Sequence, residues 1–430
     1  MKKYILYWMQ QAQRVKYNQA FNYSIEVANQ KNLPLLVCFI VTSFPEAQPA
    51  HYRFMLEGIR EVETALREKN IRFMIRKGDI VSEIVKLAAN AELLIMDRGY
   101  LRIQREWRKS VQKQIICPSR IIDTDTIVPV IAVTDRAEIA ARTIRPKLKK
   151  LLPEYFREIP ELNLHSESQN VIISREDKLP NQEVLDSITR ESRREPTFRG
   201  GYSFAKISLS HFISEKLALY ADHSSDPSSN ICSHLSPYLH FGQISALEIT
   251  LEIMAASAPQ ASKDAFLEQL IIRRELAVNF VWNTPGYDEY VHAVPEWAQS
   301  TLDLHKHDPR QYNYDLEELQ NAATHDIYWN AAQQEMCKTG FMHNYMRMYW
   351  AKKIIEWTIS PQTAYQWMCY LNNKYLLDGR DANSYTGIAW CFGRHDHPWK
   401  EREIFGKVRY MNAKGLQRKF KIQKYVDNWL

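Results

Sequence analysis

The chain has 430 residues, of which 45% are hydrophobic and 25% charged, with a net charge of +6. That length exceeds one ordinary core and predicts two domains or more, and the balance excludes disordered and collagen-like chains. No run approaches the roughly 20 apolar residues of a membrane span, and the six cysteines form no Cys-x-x-Cys pair, so free thiols in a reducing, cytoplasmic compartment are expected.

In chain order, residues 4–9 are a short apolar run, too few after Lys2 and Lys3 for a signal peptide, and read as a first strand. Residues 17–30 have helical spacing and 33–41 form a continuous apolar strand. Residues 52–69 are helical again, 71–75 and 93–96 are further strands around a helix over 80–89, and 120–133 is β-rich. This alternation predicts a doubly wound, Rossmann-like parallel α/β domain over residues 1–130. Gln10-Gln11-Ala12-Gln13-Arg14 follows the first strand where a Gly-x-Gly-x-x-Gly would lie, and no Walker A motif is present. Residues 131–184 form a charged connector whose polar part, 165–183, reads as the interdomain linker. Over 185–430 nearly every segment has period 3.6 (203–221, 244–256, 265–282, 316–323, 327–336, 341–358 and 361–376), which predicts an all-α second domain.

Glycine is scarce, 13 residues, while nine of the 11 tryptophans crowd the second half. Helices packed around a flat aromatic group, or a large aromatic core, both account for this. Between 394 and 424 stand ten basic residues against three acidic ones, interleaved with Trp399, Tyr410 and Phe420. That is a nucleic-acid footprint or a solvated helical face.

Several constellations can carry chemistry. In the segment 233–242, Ser236 can cap a helix, Pro237 suits its first turn and Gly242 can end it, so its unpaired N–H groups suit a phosphate. Glu268 and Glu275 are seven apart and are expected on one face of an otherwise apolar helix, where a carboxylate holds its proton more tightly. Ion pairing to Arg273 or Arg274 is the plainer role and is expected at Glu275. Trp350 and Trp357 lie at i, i+7 on one helix with Trp329 on the segment before it, forming either a core stripe or an electron-hopping path. The polar, Gly-containing stretch 370–393 reads as a binding loop, with Asp378 and Arg347 a potential buried ion pair. His395-Asp396-His397 lacks a third ligand at metal spacing, and no metal is expected.

These residues, in order over about 230–425, resemble the photolyase/cryptochrome flavoproteins, and specifically the class II cyclobutane pyrimidine dimer photolyases. The resemblance rests on Leu-Ser-Pro-Tyr-Leu at 235–239, Arg-Arg-Glu-Leu at 273–276, Thr324-His325-Asp326 with Trp329-Asn330-Ala331, Met342-His343 with Tyr345 to Trp350, Leu371-Asn372 with Leu377 to Asp381, and Phe405-Gly406-Lys407 with Arg409 to Asn412. It implies an antenna-type α/β domain followed by a helical domain that binds FAD. Light excites the reduced anionic flavin, which passes an electron to a dimer flipped out of DNA.

Carried over by position, Tyr220, Ser233, Leu235 and Ser236 match the residues that hold the FAD phosphate and ribitol. Arg347 and Asp378 match the ion pair against the isoalloxazine, and Gly379 and Asp381 belong to the same cofactor-binding segment. Asn372 matches the amide facing flavin N5. Trp350, Trp329 and Trp357 match the photoreduction chain, with Trp350 nearest the flavin. Met348 and Trp390 match residues packed against the dimer, and Asp396 and Trp399 lie in the adjoining segment. Glu268 is the candidate acid that hydrogen-bonds the dimer, with Glu275 as the alternative. Lys407 and Arg409 are expected to grip phosphates flanking the lesion in UV-damaged DNA, with little sequence preference. A deazaflavin or folate antenna chromophore is compatible with the family, and a monomer is the expected state. The rivals are a cryptochrome-like blue-light receptor, a photolyase for the 6-4 photoproduct, and a cofactor-free helical nucleic-acid binder.

Overall fold

A computed structural model describes residues 3–169, 171 and 197–430. Five parallel strands, β1 Tyr4–Trp8, β2 Leu35–Val41, β3 Arg72–Lys77, β4 Ala91–Asp97 and β5 Ser119–Ile122, form one sheet in the order β3-β2-β1-β4-β5. Ile5 and Tyr7 point into one apolar layer with Val37, Phe39 and Phe21. Tyr4, Leu6 and Trp8 point into the other with Leu36, Cys38 and Leu94. Burial on both faces is why β1 and β2 read as unbroken apolar runs rather than alternating ones.

The expected β-rich stretch 120–133 is shorter than its composition suggests. β5 ends at Ile122, and residues 130–133 are a helical turn. The polar residues after the strand are drawn into side-chain contacts instead of a ladder. Asp123 pairs with Arg98 at 2.6 Å and accepts from Tyr100 Oη at 2.8 Å, and the Thr124 carbonyl accepts from the Arg14 guanidinium.

Beyond residue 200 the described elements are helical, apart from one isolated bridge between Arg402 and Gly406. Two helices contain π turns: Phe212–Lys216 follows the Tyr202–His211 helix, and Glu268–Arg273 joins the Gln260–Leu267 helix to Arg274–Asn283. The chain divides into two compact units. One comprises Met1–Ala132, Leu151–Leu209 and Leu235–Ala255; the other comprises Val133–Lys150, Ser210–His234 and Ala256–Leu430. Residues 162–169 pack on the sheet unit, with Ser168 Oγ donating to the Leu35 carbonyl and accepting from Arg72 N–H. The rest of the expected linker, 170 and 172–183, lies outside the described residues. Among the described residues no helix is long and apolar enough to cross a membrane.

Candidate functional site

Two helices build the aromatic centre of the second unit. The Ile327–Thr339 helix starts on Asp326, whose Oδ1 accepts from Tyr328 N–H at 3.0 Å and Trp329 N–H at 3.1 Å. Its Oδ2 accepts from Tyr349 Oη and lies 3.9 Å from Lys353 Nζ, both on the Asn344–Trp357 helix. One N-cap carboxylate therefore registers the two helices against each other. Trp329 lies between Trp350 and Trp357. Its ring is parallel to Trp350 at 6.3 Å between centroids and edge-on to Trp357 at 5.5 Å. Trp329 Nε1 donates to the Trp350 carbonyl at 3.0 Å, and Trp350 Nε1 donates to Gln333 Oε1 at 2.8 Å. All three indoles are buried. Ring contacts continue from Trp357 to Tyr314 and His325, and from His325 to Tyr312.

Arg347 Nη2 donates to Asp378 Oδ2 at 2.9 Å, and Arg347 Nε to the Met342 carbonyl at 2.9 Å. The expected ion pair therefore forms. Asp378 Oδ1 is buried and makes no hydrogen bond among the described residues. An acceptor held dry beside a guanidinium fits a polar, hydrogen-bonding ring edge such as that of a flavin. Asn372 is buried on the Pro361–Tyr375 helix, its amide donating to Asn373 Oδ1 at 3.3 Å. Gly379 closes against that helix, where an added Cβ would lie 2.7 Å from the Asn372 carbonyl and 2.9 Å from that of Leu376. Asp381 caps the Ala382–Cys391 helix, accepting from Asn383 N–H at 2.8 Å.

Ser236 does not act as the expected cap. It is the first residue of a five-residue helix, Ser236–His240, with Leu235 at the N-cap and no side-chain capping bond. Leu235 is buried, and Ser233 and Ser236 are half-buried. Tyr220 meets Phe212 and Phe266 edge-on at 5.6 and 5.3 Å. His234, not anticipated from the sequence, takes a left-handed φ of 56° and packs on Phe341 at 4.7 Å. Burial pulls its imidazole pKa down to about 4, so it is neutral.

Glu268 and Glu275 do not share a face. Two acids seven apart align only if the helix keeps 3.6 residues per turn, and the π segment Glu268–Arg273 shifts that phase. Glu268 is half-buried, its side chain 27% exposed, bonded to Arg145 at 2.8 and 3.2 Å and 3.4 Å from Arg273. Glu275 is buried, at 4% exposure. Arg273, one of the two arginines expected to pair with these acids, thus lies against Glu268.

On the same unit, Arg409 lies over Trp399 at 5.0 Å and Trp390 at 5.8 Å, and Trp399 Nε1 donates to Asp396 at 3.3 Å. This brings Trp390, Asp396, Trp399 and Arg409 into one partly exposed cluster, with Lys407 exposed nearby. Met348 is half-buried on the Asn344–Trp357 helix and is not tied to that cluster by a hydrogen bond. Lys352, fully buried, donates to the Cys391 carbonyl at the end of the helix carrying Trp390. Its ammonium pKa is pulled down to about 8 by that burial. Sequence reasoning missed Gln333 and Lys352. Gln333 carried a signal, since an amide four residues after Trp329 falls on the tryptophan face of the helix.

The family model for DNA photolyase matches residues 5–163. The deoxyribodipyrimidine photo-lyase of Methanothermobacter thermautotrophicus is 46% identical over 429 residues, covering 99% of this chain and 94% of the relative. That of Arabidopsis thaliana is 38% identical, covering 98% of this chain and 88% of the relative. An archaeal photolyase from Sulfolobus tokodaii, solved with two FAD molecules, shares the fold at a TM-score of 0.74 and 15% identity, covering 99% of this chain and 90% of that one. With identity this high along nearly the whole of both chains, the sequence belongs to the DNA photolyase family.

Proposed function

We propose that this chain repairs cyclobutane pyrimidine dimers in UV-damaged DNA under blue light, by the class II arrangement. The observation that carries this reading is the 46% identity, along 99% of the chain, to a relative named deoxyribodipyrimidine photo-lyase. FAD, when bound in its reduced form, supplies the photoexcited electron that opens the cyclobutane ring.

The side chains bind, orient and exclude water. Tyr220, Ser233, Leu235 and Ser236 hold the phosphate and ribitol. Arg347 offers positive charge and Asp378 Oδ1 a free acceptor to the isoalloxazine edge, and Asn372 turns its amide to N5. Gly379 and Asp381 fix the backbone of that segment. Trp350, Trp329 and Trp357 relay an electron inward through rings in contact. Glu268, or alternatively the more deeply buried Glu275, hydrogen-bonds the dimer. Met348 and Trp390 pack against the extruded bases, Asp396 and Trp399 flank them, and Lys407 and Arg409 grip phosphates. A deazaflavin or folate antenna, a monomeric state and action in the cytoplasm complete the reading.

The test is to irradiate purified protein with an oligonucleotide carrying one thymine dimer and to count restored thymines by chromatography. Light-dependent restoration is expected. A protein that holds flavin but leaves the lesion intact is a light receptor, and a colourless one that binds DNA is a cofactor-free binder; either result overturns the reading.

A further inference from the structure

The segment that carries Trp399, Lys407 and Arg409 folds back on itself. Trp399 N–H donates to the Lys407 carbonyl at 2.8 Å, and Arg402 and Gly406 exchange backbone bonds of 2.9 and 2.8 Å. This small hairpin is pinned to one side of the Glu296–Leu304 helix and the turn after it. Lys407 N–H donates to Thr301 Oγ1 at 3.0 Å, and Ile404 N–H donates to Asp308 Oδ2 at 2.8 Å. His305 lies between the two sides. Its Nδ1 is 2.6 Å from Asp308 Oδ2 and its Nε2 3.1 Å from Glu401 Oε1, so one imidazole bridges a carboxylate on each side of the contact.

The hairpin tip is strained. Ile404 has φ +66°, a left-handed conformation that a β-branched residue adopts only when its surroundings impose it, at a cost of about 1–3 kcal/mol. The Asp308 carboxylate that receives its N–H is the same one that faces His305. Gly406, also left-handed at φ +51°, lets the backbone close on this helix. A Cβ there would collide with Thr301 Oγ1 and lie 3.0 Å from His305 Cδ2.

We propose that His305, in its charged form, is a positioning residue that staples this hairpin in the shape that grips DNA. The proposal rests on the reading of the hairpin as part of the DNA face. Both ring nitrogens are placed to donate to carboxylates, which only the imidazolium can do at once. The facing groups agree. Asp308 and Glu401 are anionic. Arg310 is turned to the Lys306 and Asp308 carbonyls at 2.8 and 3.1 Å, and Lys306 is paired with Asp303 at 2.8 Å. The hydrogen bonds to Asp308 and Glu401 raise the His305 pKa, while Ile404 N–H and His305 lower that of Asp308. The sign follows. The staple is fully formed below the ordinary histidine pKa and is lost as pH rises through the raised one.

The experiment measures Kd by fluorescence anisotropy for a duplex with one thymine dimer and for its undamaged match, at fixed ionic strength. Wild-type affinity for both is expected to weaken by about five-fold or more between about pH 6 and about pH 9. His305→Gln is expected to flatten that profile while melting cooperatively. Glu401→Gln, a substitution at a half-exposed side chain, is expected to move the midpoint to lower pH by removing one of the two carboxylates. Wild-type binding that does not change with pH, a His305→Gln profile parallel to it, or an unmoved midpoint in Glu401→Gln overturns the staple alone. No DNA binding at any pH overturns the proposed function and the staple with it.

Discussion

Replacing Gln333 with Leu tests whether the tryptophan row conducts or merely packs. Trp350 Nε1 donates to Gln333 Oε1 at 2.8 Å, with both residues buried. Leu is close to Gln in volume, so the substitution removes the acceptor while leaving most of the packing in place. A buried N–H left without a partner costs about 1–3 kcal/mol, and this much stability should be lost. If electrons pass through Trp350, the indole is transiently cationic and the N–H···O bond becomes charge-assisted, roughly doubling in strength. The variant then disfavours the oxidised ring by a further ~1–1.5 kcal/mol, about a ten-fold shift against charge separation. Photoreduction of oxidised flavin under blue light with external thiol should fall several-fold. Repair after chemical reduction of the flavin should not change. A lowered melting temperature with unchanged photoreduction would mean the bond is structural and the relay does not use Trp350.

Four further outcomes are expected. Trp350→Phe should block photoreduction yet spare repair by chemically reduced protein, and equal loss of both would make Trp350 a packing residue. Asp378→Ala leaves the partly buried Arg347 guanidinium without its 2.9 Å partner, and should release flavin and lower stability by up to roughly 3 kcal/mol, read by flavin fluorescence and melting. Lys407→Ala with Arg409→Ala should weaken damaged and undamaged DNA alike and reduce the salt slope by about two, one unit for each phosphate no longer neutralised; a weakening confined to damaged DNA would mean they read the lesion. Glu335 accepts from Tyr425 Oη at 2.5 Å and His343 N–H at 3.1 Å, and burial pushes its pKa up to about 7. The fold therefore favours its protonated form, and stability should fall as pH rises from the ordinary carboxyl range through about 7. Glu335→Gln should show a shallower fall in melting temperature across that range than the wild type, and an unchanged slope would place the titration elsewhere.

The sheet was legible because its central strands β1 and β2 are apolar on both faces, and the helical half because its period holds over long segments. The row Trp350, Trp329, Trp357 was legible because i, i+7 spacing survives where a helix stays α throughout, as Asn344–Trp357 does. The same arithmetic failed at Glu268 and Glu275, because a π turn depends on which carbonyl an N–H selects and leaves no mark in residue types. The ion pair that claims Glu268 comes from Arg145, 123 positions away, beyond the reach of any local pattern. Ser236 misled for a related reason. Ser-Pro is a common helix opening, but here the turn begins one residue earlier and lasts five residues. The His305 staple joins groups 96 positions apart, so only the hairpin fold reveals it.

One carboxylate explains why the sheet lacks a dinucleotide signature. Asp97 ends β4, beside the loop after β1, where an open α/β sheet ordinarily receives a phosphate. Its Oδ2 accepts from the N–H groups of Gln10, Gln11 and Ala12 at 2.9, 2.8 and 2.9 Å, and its Oδ1 pairs with the buried Arg108 at 2.8 Å. The loop that would cradle an anion is thus closed by an anion of the protein's own. A phosphate entering there would have to displace a buried carboxylate from its guanidinium, and breaking such a pair costs about 3–5 kcal/mol. With glycines absent from that loop, nothing in it compensates. Asp378 shows the opposite arrangement. It too is buried and paired with an arginine, but its Oδ1 has no hydrogen bond among the described residues. A buried acceptor left in that condition costs stability unless a ligand completes it. Ligand binding is therefore expected at the helical residues around Asp378, while the closed β1 loop serves to hold the sheet together.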